Sequence, residues 1–191
     1  MKTLQERIQT EGEYLGHGIL KIDSIINHQV DAGMMLELGA EFARRFGALQ
    51  PTRVLTAEVS GIVPALTTSS ALGVPLVFAR KHKPITMKEP TLMESAPSHT
   101  KGQEVQLMVS SEFLTSDDRV LIIDDFLATG KTIAALARLI EQAGAELVGI
   151  GALVEKSFEG GRERLAALGV PIESLVIIEA IYDDGTLVFA D

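Results

Sequence analysis

Several features that would point to other classes of protein are missing from this chain. Its 191 residues contain no cysteine, which excludes disulfide bonds and thiolate chemistry. The four histidines are scattered, without a metal-ligand spacing such as His-Glu-x-x-His. No apolar run is long enough to span a bilayer, and the charged N-terminal segment lacks the apolar core of a signal peptide. We therefore expect a soluble cytoplasmic protein.

Positive charge is also scarce. The net charge is −9 and the isoelectric point is about 5.0, which argues against a nucleic-acid-binding surface. An anionic substrate is still compatible with this balance, because phosphate binding depends on local hydrogen-bond donors rather than on total charge. The length and a hydrophobic content of 46% suit one globular domain with a full core.

Hydrophobic periodicity predicts that strands alternate with helices along the chain. The expected helices cover residues 3–11, 32–46, 62–72 and 161–168, with a further helix starting at Thr132. The expected strands cover residues 54–59, 76–79, 103–110, 120–125, 147–154 and 175–181. This alternation predicts an α/β fold with a central, mostly parallel sheet flanked by helices. Residues 84–102 show little periodicity and are expected to form a long loop.

The most informative segment covers residues 120–132 and reads VLIIDDFLATGKT. Its apolar run predicts a buried strand, which places Asp124 and Asp125 at the carboxyl end, where open α/β sheets bind ligands. The turn that follows leads into a helix N-terminus, whose free N–H groups and dipole favour an anion. Carboxylates for hydroxyl groups beside a phosphate site suit a ribose phosphate.

A nucleotide-triphosphate P-loop is the obvious alternative, because Gly130, Lys131 and Thr132 match the end of that motif. A P-loop also needs a glycine five residues before Gly130, and Asp125 occupies that position. A carboxylate there would repel the β- and γ-phosphates. The sequence therefore argues against a P-loop.

The segment resembles the phosphoribosyl-pyrophosphate motif of the type I phosphoribosyltransferases, an apolar run, two acidic residues, a short spacer and Thr-Gly-x-Thr/Ser. The resemblance implies that Asp124 and Asp125 are the catalytic pair and hold the ribose hydroxyls. It implies that the 5′-phosphate is held by a loop of five residues, namely Ala128, Thr129, Gly130, Lys131 and Thr132. Lys131 is expected to contribute its N–H, with its side chain towards solvent. A single domain over residues 1–191, with a small hood within residues 1–31, is also implied.

The same resemblance gives a role to two further segments. The turn at Ser60 and Gly61 reads as an ordinary strand-to-helix loop, but the family binds pyrophosphate there, and glycine permits close approach to an anion. Arg80, Lys81 and Lys83 form the densest basic cluster, which could be a solvated loop. The resemblance implies that this cluster binds pyrophosphate and reaches a neighbouring subunit, and hence a homodimer. It also implies that residues 84–102 act as a flexible lid, with surface disorder as the alternative.

The acceptor base has to be inferred from other positions. The N-terminal segment and the stretch from Glu155 to Phe158 resemble the members of the family that use xanthine. This resemblance implies that Leu20, Asn27 and Lys156 contact the base, although core packing for Leu20 and solvation for Lys156 are the simpler readings. A lysine suits an oxo group and not an amino group, because it has no acceptor.

The resemblance as a whole implies a purine-salvage enzyme that converts xanthine and phosphoribosyl pyrophosphate to XMP and pyrophosphate. Mg²⁺ is expected, held mainly by the substrate rather than by the protein. Nucleic acid and membrane are not expected as partners. Two alternatives remain, the same reaction on guanine or hypoxanthine, and a regulator that uses this fold to sense a ligand.

Overall fold

A computed structural model describes residues 2–97 and 104–190 of the chain. Its α-helices are α1 (Lys2–Glu11), α2 (Ala32–Phe46), α3 (Ile62–Leu72), α4 (Lys131–Gln142) and α5 (Gly161–Leu165). The first five strands are β1 (Glu13–Tyr14), β2 (Leu20–Lys21), β3 (Arg53–Ala57), β4 (Leu76–Ala79) and β5 (Thr91–Pro97). The other strands are β6 (Glu104–Ser110), β7 (Arg119–Leu127), β8 (Glu146–Lys156), β9 (Ile172–Ile181) and β10 (Leu187–Phe189).

The main sheet has six strands in the order β10-β9-β8-β7-β3-β4. All neighbours are parallel except β10, which pairs antiparallel with β9. This confirms the predicted α/β fold with a mostly parallel sheet. From β3 the chain moves outward to β4, and after β7 it moves in the opposite direction to β8 and β9. The strand order therefore reverses between β3 and β7, and open α/β sheets bind ligands at such a switch point.

Both faces of the sheet are covered, which explains the continuous apolar run of β7. Leu121 and Ile123 belong to a core formed with α1, α2 and α3. Val120 and Ile122 face the opposite side, in a core formed with α4, β6 and β5. Alternate residues of one strand thus hold the two layers together. In the described part of the chain, no helix is long and apolar enough to cross a membrane.

The N-terminal segment that was predicted to form the hood is built onto the first of these cores. It comprises α1, the short β1–β2 hairpin and a π-helical turn over Asp23–Asn27. Ile8 and Ile25 are fully buried in the same core as α2. Arg7 also donates to Asp31 over 2.8 Å, and Asp31 caps α2 by accepting from the Met34 N–H. The hood is therefore packed against the sheet domain by apolar contacts and anchored by an ion pair.

The prediction of a loop over residues 84–102 is wrong for residues 91–97, which form β5 and pair antiparallel with β6. The alternation that marks a half-buried strand is weak there because the hairpin packs on α4 through polar groups. Arg138 and Gln142 of α4 both donate to Glu94. Residues 98–102, and residue 103 of the next predicted strand, lie outside the described residues.

The other elements match their predictions closely. The helices predicted over residues 32–46 and 62–72 and the strand over residues 76–79 are confirmed with those bounds. The last predicted helix is shorter, because α5 ends at Leu165 and continues as a 3-10 turn. Strands β1, β2 and β10 were not predicted.

Candidate active site

A cleft of about 1140 Å³ opens at the carboxyl ends of β3 and β7, at the switch point of the sheet. Its walls come from five parts of the chain, namely the hood, the loop after β3, the segment after β4, the end of β7 and the end of β8. The β5–β6 hairpin closes a further side through Ala96 and Met108. Residues from distant parts of the sequence are therefore brought to one cavity.

Asp124 and Asp125 lie at the floor of this cleft, near the end of β7. Asp124 is buried and only 6% exposed, whereas Asp125 is partly exposed. Burial raises the pKa of Asp124 well above its usual value, and the neighbouring charge of Asp125 raises it further. The Asp125 N–H donates to Asp124 Oδ1 over 3.1 Å and fixes the orientation of that carboxylate. The pair thus offers two carboxyl groups of different character to a ligand.

Gly61 lies directly against this carboxylate. A Cβ atom built on Gly61 would lie 2.4 Å from Asp124 Oδ1 and 2.3 Å from Thr56 Oγ1. Both distances are far below van der Waals contact, so only glycine fits here. The loop after β3 and the end of β7 are therefore packed as one unit.

The predicted phosphate loop connects β7 to α4. Ala128 and Thr132 line the cleft, and Gly130 precedes α4 with the left-handed backbone that glycine favours, at φ 72°. The Lys131 side chain is exposed, which confirms its expected direction. The hydroxyl of Thr129 is buried and has no hydrogen-bond partner within residues 2–97 and 104–190. Of the five loop residues, Ala128 and Thr132 are therefore the ones that line the cleft.

The predicted pyrophosphate residues do not all face the cleft. Ser60, Lys81 and Lys83 line it. Arg80 instead pairs with Glu58 over 2.7 Å, and its guanidinium stacks on the ring of Phe78. The Lys81 N–H also donates to Glu58, over 2.6 Å. Glu58 therefore links the loop after β3 to the basic segment, residues 80–83. Its ion pair with Arg80 stabilises this link.

The three predicted base contacts also line the cleft. Leu20 is buried in the core of the hood, and Asn27 is exposed at the end of the π-helical turn. Lys156 is only 12% exposed, and its ammonium donates to the Gly18 carbonyl over 2.8 Å. The same ammonium pairs with Glu159 and lies 5.9 Å from the centre of the Phe126 ring. Lys156 thus ties the hood to the end of β8.

A carboxylate pair, a phosphate loop and a held ammonium in one cleft prompt a comparison with known proteins. The family model of the phosphoribosyl transferase domain matches residues 37–181. The chain belongs to the phosphoribosyltransferase family. A xanthine phosphoribosyltransferase of Deinococcus deserti is 52% identical over 188 residues, which cover 98% of this chain and 97% of that protein. One of Streptococcus agalactiae is 48% identical over 100% of this chain and 98% of that protein.

Solved structures of the family have the same fold. The adenine phosphoribosyltransferase of Thermoanaerobacter pseudethanolicus superposes with a TM-score of 0.74 at 25% identity, covering 91% of this chain and 99% of that one. The enzyme of Rhodothermus marinus gives a TM-score of 0.73 at 27% identity, covering 93% and 100%. The phosphoribosyltransferase fold therefore extends over nearly the whole chain.

Several residues of this phosphoribosyltransferase line the cleft without having been singled out from the sequence. They are His17 and Gly18 in the β1–β2 turn, Glu58 after β3, His82 in the basic segment and Glu159 after β8. The run Gly-His-Gly at residues 16–18 was an available signal for a tight turn. In the structure all three residues have positive φ. Glu58 and Glu159 gave no signal of their own, since isolated glutamates usually lie on solvated surfaces.

No group of three or more histidine or carboxylate side chains among the described residues is arranged to hold a metal ion. The oxygen atoms of Asp124 and Asp125 nevertheless belong to the ligand class that Mg²⁺ prefers. A magnesium ion that arrives with a phosphorylated substrate would therefore meet suitable chemistry at the floor of the cleft.

Proposed function

We propose that this enzyme acts in purine salvage, transferring the 5-phosphoribosyl group of phosphoribosyl pyrophosphate to xanthine to give XMP and pyrophosphate. The observation that carries the proposal is that Asp124, two residues of the loop after β7 (Ala128 and Thr132) and Lys156 all border one cleft. Ribose, phosphate and base would each have a matching wall there. The names of the relatives that are 52% and 48% identical support xanthine as the base.

The carboxylate pair would act on the ribose. Departure of pyrophosphate from C1′ leaves positive charge on the sugar ring, as in glycoside hydrolysis. Asp124 and Asp125 would hold the ribose hydroxyls and stabilise that charge electrostatically. The bond from C1′ to the pyrophosphate oxygen breaks, a new bond forms between C1′ and a ring nitrogen of xanthine, and the proton of that nitrogen passes to water. This scheme needs no covalent nucleophile from the protein.

Lys156 would select the base. Its ammonium can only donate, so it favours an oxo group and disfavours the amino group of adenine. The Gly18 carbonyl and Glu159 hold the ammonium in place before a base arrives, which reduces the ordering needed on binding. Asn27 can both donate and accept at a neighbouring edge of the base, and Leu20 would pack against its ring.

The pyrophosphate would lie between the loop after β3 and the basic segment. The backbone near Ser60 and Gly61 and the side chains of Lys81 and Lys83 would bind it, with Arg80 acting through Glu58. Mg²⁺ would enter with phosphoribosyl pyrophosphate and neutralise part of its charge. Asp124 and Asp125 would meet that ion or its water ligands.

We also propose a homodimer. Val59 is 74% exposed and Val30 is 41% exposed, and both border one shallow groove beside the loop after β3. Exposed apolar side chains that share a groove favour a covered surface. Light scattering after size exclusion would test the oligomeric state. The cytoplasmic location and the action of the segment at residues 84–102 as a lid stay predictions.

Pyrophosphate release tests the proposal directly. The enzyme would be incubated with Mg²⁺ and phosphoribosyl pyrophosphate, and with xanthine, guanine, hypoxanthine, adenine or orotate. We expect a clear preference for xanthine. Preference for guanine or hypoxanthine would keep the reaction and overturn the choice of base. Tight binding of phosphoribosyl pyrophosphate without turnover of any base would favour a ligand-sensing regulator.

A further inference from the structure

We propose that α5 positions the 5′-phosphate loop, and that Arg164 is its principal positioning residue. Arg164 lies 35 residues after Thr129 in the sequence, yet the two are in direct contact. The identity of the ligand, a sugar phosphate, rests on the proposed function. The contacts between α5 and the loop are independent of it.

The first contact is a hydrogen bond from Arg164 Nε to the Thr129 carbonyl, 2.8 Å long. The carbonyl and the next N–H of a trans peptide point in opposite directions. Holding the Thr129 carbonyl therefore also sets the direction of the Gly130 N–H, in the loop that would bind the phosphate. The guanidinium also interacts with the partial negative charge of this carbonyl oxygen, which would otherwise oppose the binding of an anion.

The second contact joins two glycines. A Cβ atom on Gly161 would lie 2.2 Å from the Ala128 carbonyl oxygen and 2.9 Å from the Gly130 nitrogen. A Cβ atom on Gly130 would lie 2.9 Å from the Gly161 carbonyl oxygen. The backbones of α5 and the loop therefore touch, with no side chain between them. This close approach gives the loop little room to move away from α5.

A helix of five residues is not stable by itself, so α5 needs an anchor of its own. Arg162 provides one through two hydrogen bonds to Glu155, of 2.9 and 2.6 Å, and one of 2.8 Å to the Ile172 carbonyl. Glu155 is 1% exposed and also accepts from Ser174. The anchor joins α5 to β8 and β9, so the loop is held by the rigid part of the sheet.

Isothermal titration of two probes, ribose 5-phosphate and inorganic pyrophosphate, separates this role from a general loss of structure. Ribose 5-phosphate needs the phosphate loop, whereas pyrophosphate would bind mainly between the loop after β3 and the basic segment. Replacing Arg164 with glutamine removes a charge-assisted hydrogen bond, and we expect ribose 5-phosphate to bind about tenfold more weakly. The affinity for pyrophosphate should change by less than about twofold, because changes at separate sites act largely independently.

Two further variants complete the test. Arg164→Lys keeps a cationic donor and should restore a large part of the affinity for ribose 5-phosphate. Arg44→Gln is the matched control, because Arg44 is an exposed arginine of α2 whose hydrogen bonds go to Glu41. It should leave both affinities unchanged.

The outcomes for the inference and for the proposed function are distinct. Unchanged ribose 5-phosphate binding in Arg164→Gln, or equal weakening of both probes, would overturn the role of Arg164 alone. Selective weakening in a protein that turns over no base would support the role of α5 and overturn the proposed function. A wild-type enzyme that fails to bind ribose 5-phosphate would overturn both.

Discussion

Gly61 and the carboxylate of Asp124 are packed so closely that no side chain fits between them. A Cβ atom at Gly61 would lie 2.4 Å from Asp124 Oδ1. The two residues come from the loop after β3 and from β7, which meet at the switch point of the sheet. The proposed pyrophosphate loop and the proposed catalytic pair therefore cannot move independently.

The first prediction concerns this contact. Gly61→Ala should force the loop or the Asp124 carboxylate to shift, and a displacement of about 1 Å from a productive geometry can cost about a hundredfold in rate. Initial-rate measurements with xanthine and phosphoribosyl pyrophosphate would show the loss. Gly47→Ala is the control, since a Cβ there meets nothing within 4 Å and φ is −57°. Equal rates in the two variants would contradict the proposed packing constraint.

The second prediction concerns the turnover that depends on the carboxylate pair. Asp124→Asn combined with Asp125→Asn should lower turnover by about a hundredfold or more, because stabilisation of the ribose charge is lost. Circular dichroism should show that the fold is kept. Unchanged turnover would rule out the proposed role of the pair.

The third prediction concerns the stability cost of that site. Because burial and Asp125 raise the pKa of Asp124, the folded state favours its protonated form. The stability linked to this group is fully present below the unfolded pKa and is lost as the pH rises through the folded pKa. Asp124→Asn should therefore raise the free energy of unfolding at neutral pH by about 1 kcal/mol, or Tm by about 2–4 °C.

The gain from Asp124→Asn should shrink as the pH falls towards the unfolded value, where the wild-type carboxyl is already neutral in both states. Thermal unfolding across a pH series would measure it. Asp117→Asn is the matched control, because Asp117 is exposed in the turn before β7. A neutral-pH loss of stability in Asp124→Asn would contradict the raised pKa.

The fourth prediction concerns Lys156. Lys156→Gln should raise the KM for xanthine by about tenfold, because a hydrogen bond from a charged donor is lost, and should leave the KM for phosphoribosyl pyrophosphate within about twofold. Saturation kinetics for both substrates would show the split. Lys2→Gln, at an exposed position at the start of α1, provides the comparison. A change confined to phosphoribosyl pyrophosphate would move Lys156 out of the base site.

The fifth prediction concerns the anchor of α5. Arg162→Gln leaves the Glu155 charge buried without its ionic partner, which should cost about 3 kcal/mol in the free energy of unfolding. The double variant with Glu155→Gln should recover part of that loss, because no unpaired charge remains. Urea denaturation would measure both. A single variant as stable as the double one would show that the unpaired Glu155 charge costs little.

Local patterns were sufficient to predict most of the elements. The apolar stripe of α2 and the small residues of α3 ending at Gly73 gave both helices with their observed bounds. The hairpin strand β5 was missed because it is stabilised by pairing with β6 and by polar contacts with α4, which leave no clear alternation in the sequence. Strand β10 has three residues and depends on its partner β9 in the same way.

The sequence by itself determined the alternation of strands and helices, the position of Asp124 and Asp125 near a strand end, and the turn before α4, because each depends on neighbours within a few residues. Only the tertiary structure decided which distant groups meet. In the folded chain Arg80 pairs with Glu58, Lys156 donates to the Gly18 carbonyl, and Arg164 donates to the Thr129 carbonyl. Such contacts depend on how strands and loops pack in three dimensions, and a single sequence has no local signal for them.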